Sequence, residues 1–152
     1  MSEDIVVRQA GLADVEDVAV LFDEYRQFYR QSSDLAGAAA YLTERLERKE
    51  SAIFLASDAK NGRILGFTQL YPTFSSISMK RVWILNDLFV SEEQRGRGAA
   101  QRLLDRAKAH AAETGAKGLA LSTAVDNAVA QRLYERNGYV RETEFIDYFL
   151  SI

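Results

Sequence analysis

Residues 88–100, Leu-Phe-Val-Ser-Glu-Glu-Gln-Arg-Gly-Arg-Gly-Ala-Ala, decide the fold of this 152-residue chain. An apolar run ends there, a short polar turn follows, and the periodic apolar positions up to about residue 114 are typical of a helix. The first N–H groups of a helix lack an internal partner, and the helix dipole adds partial positive charge beside them. The stretch therefore predicts a strand, a turn and a helix start that together can hold a phosphate.

The residue types at this turn favour a bulky pyrophosphate. Gly96 and Gly98 allow close approach to the backbone, and Arg95 and Arg97 add donors that suit phosphate oxygens. The pattern G-x-x-x-x-G-K-[ST] is absent, and a G-x-G-x-x-G turn would need its third glycine where Gln101 stands. ATP and NAD sites are therefore disfavoured. The structural alternative is a tight turn with surface arginines.

The rest of the chain predicts the element order β-α-α-β-β-β-α-β-α-β, in which the last strand can be a pair. Strand-like runs and turn signals place the strands at residues 5–8, 52–57, 63–71, 81–90, 118–123 and 139–150. Asp14 and Asp34 are predicted to cap the first two helices, and two more helices cover residues 98–114 and 127–136. The strands at 81–90 and 118–123 should be parallel, while Asn61-Gly62 predicts an antiparallel hairpin. A mixed α/β sheet with helices on both faces follows.

Composition excludes several classes of protein. Length predicts a single domain over residues 1–152. No run of about eighteen apolar residues exists, and the acidic start lacks a secretory signal, so we expect no membrane span and a cytoplasmic location. Zero Cys and one His exclude disulfides and the common zinc sites, so no metal is expected. The net charge of −3 shows no excess of basic residues, so a strongly basic nucleic-acid-binding protein is not expected.

Two blocks of the chain resemble the GNAT superfamily of N-acetyltransferases. Residues 95–100, RGRGAA, look like its [RQ]-x-x-G-x-[GA] acyl-CoA loop, and residues 127–139, NAVAQRLYERNGY, look like its N-x-x-A-x-x-L-Y-x-x-x-G-[FY] helix. In motif style the chain is nearest to polyamine and diamine acetyltransferases. The resemblance implies a mostly antiparallel sheet of six to seven strands. It also implies acetyl transfer from acetyl-CoA to a primary amine by direct attack on the thioester, without a metal.

The resemblance also implies how acetyl-CoA is held. The main chain of Arg95–Ala100 would bind the pyrophosphate, and the strand end at Leu88 would pair with the pantetheine arm and face the thioester carbonyl. Tyr134 would protonate the leaving thiolate, and Asn127 would touch the CoA arm. The structural alternatives are a core tyrosine and a plain helix cap. The expected cofactor-binding residues are Leu88, Phe89, Val90, Arg95, Gly96, Arg97, Gly98, Ala99, Ala100, Asn127 and Tyr134.

The base that deprotonates the amine is open on sequence grounds. Asn86 stands where polyamine-type enzymes often have Glu, so the candidates are Asp87, which strand alternation sends to the opposite side from Asn86, a water chain or a tyrosine. Asp87 can equally be a structural acid. The loop after the first helix should select the acceptor. The expected catalytic residues are Tyr134, Asp87 and Leu88, and the expected acceptor-binding residues are Tyr25, Phe28, Tyr29, Asn86 and Asp87.

Several alternatives accompany this prediction. Phe28 and Tyr29 can be core residues instead, Trp83 is interpreted as packing, and His110 as a surface residue late in its helix. The acceptor is expected to be a small-molecule amine. The alternatives are protein lysines or N-termini, a non-catalytic acyl-CoA sensor of the same fold, and a nucleotide-binding regulator. A homodimer is a family-level expectation, in which the aromatic segment 139–150 extends a sheet across subunits.

Overall fold

A computed structural model describes residues 4–152 of the protein. The chain divides into two compact units, Met1–Leu121 and Ser122–Ile152. The first unit carries the sheet and three helices, and the second carries one helix followed by a segment without regular secondary structure. The prediction of one domain over residues 1–152 stays a prediction.

The sheet of the first unit is mixed, as the sequence predicts. Its strands are β1 (Ile5–Gln9), β2 (Ala52–Asp58), β3 (Ile64–Ser75), β4 (Lys80–Val90) and β5 (Leu119–Ala120). They lie side by side in chain order, antiparallel except for the parallel pair β4 and β5. The α/β class is confirmed, but residues 4–152 form five strands and not six to seven.

The helices begin and end close to the predicted residues. They are α1 (Val15–Phe28), α2 (Leu35–Glu47), α3 (Ala99–Glu113) and α4 (Ala128–Arg136), with short 3-10 turns at Leu12–Asp14 and Glu92–Gln94. Asp34 caps α2, because its carboxylate accepts a hydrogen bond of 2.9 Å from the Gly37 N–H. Asp14 does not cap α1 through its side chain. Its carboxylate instead accepts from the Arg8 guanidinium and the Gly11 N–H.

Successive residues of β2 face opposite layers of helices. Ile53 and Leu55 are buried in one core with α1, α2 and Phe67. Phe54, between them, packs against His110 and Arg106 of α3. The side chains of a strand alternate between the two faces of its sheet. The first unit therefore has helices on both faces, as predicted.

The interpretation of His110 as a surface residue is wrong. Its imidazole packs against Phe54 and Trp83, and its Nε2 is buried without a hydrogen-bond partner. Burial lowers the pKa of His110. The reason lies in helical spacing: His110 follows Leu103 by two turns, so both residues lie on the face of α3 that packs on the sheet. Trp83 is a packing residue, and its Nε1 donates to Thr114 Oγ1 at 2.8 Å.

The strands predicted near the C-terminus are shorter or missing. The run 118–123 forms only the two-residue β5, and residues 139–150 have no regular secondary structure. The aromatic side chains of Phe145, Tyr148 and Phe149 are exposed, the last two to 89% and 92%, while Tyr139 is partly buried. A strand is stabilised by pairing with a neighbour, and residues 139–150 have no ladder partner in the described chain. The prediction of strands over 139–150 is therefore not met.

Gly66 is required by the close approach of β3 and β4. A Cβ added there would lie 2.5 Å from the Phe89 carbonyl oxygen and 3.1 Å from the Val90 Cα, both backbone atoms. We expect Gly66→Ala to lower the free energy of unfolding by about 1–3 kcal/mol, because the strands must separate. Urea unfolding measures this, with Gly118→Ala as the control, since a Cβ at Gly118 meets nothing within 4 Å. Equal stability of the two variants would contradict this account of the strand pair.

Candidate active site

The turn from β4 into α3 depends on the conformational freedom of two glycines. Gly96 and Gly98 have left-handed φ angles of 82° and 88°, which favour glycine. A Cβ at Gly96 would meet nothing within 4 Å, so backbone conformation and not crowding requires glycine there. Gly98 occupies the cap position of α3, and no side chain there caps the helix. The first N–H groups of α3 are therefore not served by a capping side chain.

Both arginines of this turn bind other parts of the first unit. The Arg97 guanidinium donates to Asp58 Oδ2 at 2.7 Å and to Gln94 Oε1 at 2.9 Å. The hydrogen bond from Arg97 holds the pKa of the Asp58 carboxyl below its usual value. Arg95 Nε donates to the Val90 carbonyl at 3.1 Å. In the described structure Arg97 and the Nε of Arg95 therefore brace the turn, and the Arg95 backbone N–H also bonds within it, to the Glu92 carbonyl at 3.4 Å.

β4 has one edge that is paired along its length and one that is not. Towards β3, the ladder runs through Phe67–Phe89 and Gly66–Val90 to the end of the strand. Towards β5, the pairs are only Trp83–Leu119 and Ile84–Ala120. Among residues 4–152, no strand covers the β5 side of β4 from residue 86 to residue 90. An extended chain with hydrogen-bonding groups, such as pantetheine, can pair with such an edge.

A bulge interrupts β4 at the start of this open edge. Gln69 of β3 pairs with Asp87, but the next residue, Leu70, pairs with Leu85, so Asn86 has no partner in the β3 ladder. A bulge bends the strand and redirects its side chains. Asn86 is exposed while Asp87 is buried. Asn86 Nδ2 nevertheless reaches Asp87 Oδ1 at 3.1 Å.

Asp87 is a buried carboxyl surrounded by donors. It is 4% exposed. Its Oδ2 accepts from Gln69 Nε2 at 2.7 Å, and Tyr25 of α1 also hydrogen-bonds to it. Burial raises the pKa of Asp87, and the hydrogen bonds from Gln69, Tyr25 and Asn86 oppose that shift. A buried carboxyl with a raised pKa is a candidate general base.

The predicted acceptor residues divide into two groups. Tyr25 is partly buried and packs edge-on against Phe67 and Phe89, close to Asp87. Phe28 and Tyr29 are 61% and 56% exposed, so the alternative that they are core residues is wrong. Phe28 lines a groove of about 620 Å³ between α1 and the turn after β4. The carboxylates of Asp17, Glu24, Glu92 and Glu93 also line this groove.

Sequence reasoning missed three residues of this region. Asp58, which holds Arg97, lies 39 residues before it, and Gln69, which holds Asp87, lies 18 residues before it. Ser51 in turn donates to Gln69 Oε1 at 2.7 Å. Pairing across β2, β3 and β4 brings these side chains together. No short motif connects them.

The second unit carries the other predicted residues on α4. Asn127 caps the helix, since its Oδ1 accepts from the Ala130 N–H at 3.1 Å. At the other end, the N–H groups of Gly138 and Tyr139 donate to the carbonyls of Glu135 and Tyr134, with Gly138 at a φ of 88°. This is a Schellman motif, which brings its last residue against the helix. The Tyr139 ring accordingly packs edge-on against the Tyr134 ring, with centroids 5.8 Å apart.

Residues 4–152 contain no group of three or more His, Cys, Asp or Glu side chains placed to hold a metal ion. In that same part of the chain, no helix has the length and apolar character needed to cross a membrane.

Comparison with known proteins identifies the family. Residues 18–139 match the model of the acetyltransferase (GNAT) family. The chain belongs to the GNAT family of acetyltransferases. It is 53% identical over 146 residues to the uncharacterized N-acetyltransferase YhfO of Bacillus subtilis, covering 96% of this chain and 97% of that protein.

Solved structures agree with this assignment. The crystal structure of a probable acetyltransferase shares 48% identity and a TM-score of 0.92 with this GNAT protein, over 97% of each chain. Aminoglycoside N-acetyltransferase AAC(6')-Iy in complex with CoA has a TM-score of 0.79 at 21% identity, over 97% of this chain and 94% of that one, and shows a common fold. The predicted GNAT fold and N-acetyltransferase class are therefore confirmed, and the family uses acetyl-CoA as its acetyl donor.

Proposed function

We propose that this GNAT protein transfers the acetyl group of acetyl-CoA to a primary amine of a small molecule by direct attack. The observation that carries the proposal is the open edge of β4 over residues 86–90, which leads from the buried Asp87 to the uncapped start of α3. That arrangement offers one path for the thioester, the pantetheine arm and the pyrophosphate in the order in which acetyl-CoA carries them.

In this proposal the main chain binds the donor. The backbone N–H groups of Arg95–Ala100 hold the pyrophosphate, and the main chain of Leu88, Phe89 and Val90 pairs with pantetheine. An N–H near Leu88 faces the thioester oxygen and stabilises the charge that develops there, a contribution typically worth about 10²–10³ in rate. Asn127 touches the CoA arm, in agreement with the family motif.

Two side chains handle the protons. Asp87 takes one proton from the acceptor ammonium, and the amine nitrogen then attacks the thioester carbon. The tetrahedral intermediate collapses, the carbon–sulfur bond breaks, and Tyr134 donates its phenolic proton to the leaving thiolate. The nitrogen releases its second proton as the amide forms, and that proton passes through water to the Tyr134 phenolate. What supports Asp87 is its burial beside the bulge of β4 and its raised pKa. What supports Tyr134 is its place in the family motif.

The acceptor proposal rests on the side chains around Asp87. Asn86 and Tyr25 hydrogen-bond to Asp87. Phe28 and Tyr29 follow Tyr25 closely in the chain, and their aromatic rings are exposed. Aromatic faces attract ammonium groups and cover alkyl chains. A small amine with an alkyl or aromatic body suits these groups.

Domain organisation, location and oligomeric state are also part of the proposal. We propose that residues 1–152 act as one domain in a cytoplasmic homodimer. What supports the dimer is the set of exposed apolar side chains between Val140 and Leu150, since exposed apolar surface commonly marks an interaction site.

The test is an acceptor panel read by release of free CoA thiol and by mass spectrometry of the product. The panel contains diamines, polyamines, aminoglycosides and amino acids, together with lysine peptides and N-terminal peptides. We expect acetylation of at least one small amine with a lower KM than any peptide. Acetylation of peptides alone would contradict the small-molecule proposal, and thioester binding without any product would favour the acyl-CoA sensor.

A further inference from the structure

A chain of three polar side chains crosses the interior of the first unit and ends at Asp87. Ser51 Oγ donates to Gln69 Oε1 at 2.7 Å, and Gln69 Nε2 donates to Asp87 Oδ2 at 2.7 Å. Gln69 is 0% exposed. Neither the family motifs nor the proposed steps of the reaction use Ser51 or Gln69.

The direction of each hydrogen bond in this chain is determined by chemistry. An ionised carboxylate only accepts hydrogen bonds, so Gln69 must turn its NH₂ group towards Asp87. Its carbonyl oxygen then points the other way, and Ser51 supplies the hydroxyl that satisfies it. A buried amide is costly when its polar atoms lack partners. Ser51 therefore favours the one orientation of Gln69 in which it donates to Asp87.

We propose that Gln69, oriented by Ser51, is a positioning residue that holds Asp87 ionised and fixed beside the bulge of β4. The inference rests on the proposed role of Asp87 as the base. Burial alone favours the protonated carboxyl, which cannot accept a proton from the acceptor. Donors to the carboxylate oppose that effect, and the bond to Oδ2 leaves the Asp87 side chain less freedom to rotate.

The other groups that face Asp87 do not replace this contact. Tyr25 of α1 and Asn86 of β4 each donate to the carboxylate, and Tyr71 of β3 is the further titratable group that interacts with it. Burial raises the pKa of Tyr71, so its phenol stays neutral at physiological pH. Arg45 of α2 interacts with Tyr71. Gln69 is the donor on β3 that reaches Oδ2 from the ladder position opposite Asp87.

The experiment compares three variants with the wild type in the pH profile of kcat/KM and in the NMR titration of the Asp87 carboxyl carbon. Gln69→Met keeps the side-chain length but removes the donor. We expect the midpoint of the kcat/KM profile and the midpoint of the NMR titration both to rise by about one pH unit. Ser51→Ala should raise them by less. Thr68→Val is the matched control, because Thr68 is equally buried and donates at 2.8 Å to the Asp87 backbone carbonyl instead of its carboxylate.

The outcomes separate this inference from the proposed function. Raised midpoints in Gln69→Met and Ser51→Ala, with unchanged midpoints in Thr68→Val, support the inference. Wild-type midpoints in Gln69→Met would overturn it, and if that variant does not fold, wild-type midpoints in Ser51→Ala would do the same. Full activity in Asp87→Asn would instead refute the proposed base, and the NMR midpoints would then still decide whether Gln69 and Ser51 control the carboxylate.

Discussion

Replacing Tyr134 by Phe is expected to lower kcat by about 10²-fold or more, the usual contribution of a general acid. Phe keeps the ring that packs on Tyr139 and the helix that carries it, and removes only the hydroxyl. The thiolate must then leave without a positioned proton donor. Acetyl-CoA affinity, measured by calorimetry, should stay within about twofold, because an interaction made only in the transition state affects kcat and not ground-state binding.

Tyr139→Phe is the matched control for this prediction. Tyr139 follows the C-terminal end of α4, where its N–H bonds to the Tyr134 carbonyl. Its hydroxyl is buried without a hydrogen-bond partner in the described structure. Burial raises the pKa of Tyr139 to about 12. Removing this hydroxyl should leave kcat unchanged and cost no stability, since no hydrogen bond is lost. If both variants retained wild-type turnover, Tyr134 would not be the acid; equal losses would point to packing and not to proton transfer.

Asp87→Asn is expected to lower kcat/KM by about 10²–10³-fold at neutral pH. The amide has the size of the carboxyl and keeps an oxygen for Gln69 and Tyr25, but it cannot take a proton. In the proposed mechanism, wild-type activity requires the carboxylate, so kcat/KM should fall as the pH drops through the pKa of Asp87. Because burial raises that pKa, the fall should begin at a higher pH than for an ordinary aspartate. The variant should lack this fall in kcat/KM at low pH, which is the acid limb of the profile.

The control for Asp87→Asn is Asp23→Asn in α1. Asp23 is also buried, but its carboxylate accepts from Ser33 and from the Asp34 N–H, where it holds the connection between α1 and α2. Its replacement should lower thermal stability and keep the acid limb. An acid limb that survives in Asp87→Asn would assign the base to another group.

Local signals in the sequence predict much of this fold. The turn at Asn61-Gly62 is placed correctly, with a left-handed φ angle of 73° at Gly62. Asp34 caps its helix as predicted, and Asn127 caps α4, which was the structural alternative to contact with the CoA arm. Each of these features depends on residues within four positions of one another. The failed prediction over 139–150 differs, because a strand exists only with a partner, and its apolar pattern does not specify one.

The site shows the same division between local and distant effects. The glycines of the turn predict a backbone that can approach a phosphate closely, and Gly96 and Gly98 do have left-handed φ angles. The sequence does not reveal that Arg97 donates to Asp58, nor that Gln69 donates to Asp87, because these pairs form only after β2, β3 and β4 align. The bulge at Asn86 depends on how β4 registers against β3. Register is set by packing of the whole sheet.

Calorimetric titration of the protein with two thioesters, in the absence of any amine, tests the central claim most directly. Acetyl-CoA carries the pyrophosphate and the adenosine 3′-phosphate, and S-acetylpantetheine carries the same thioester and arm without either. We predict saturable one-to-one binding of acetyl-CoA and an affinity for S-acetylpantetheine that is weaker by about tenfold or more, the loss expected for charge-assisted hydrogen bonds at residues 95–100. Equal affinities, or no binding of acetyl-CoA, would contradict the account of this turn as the donor site.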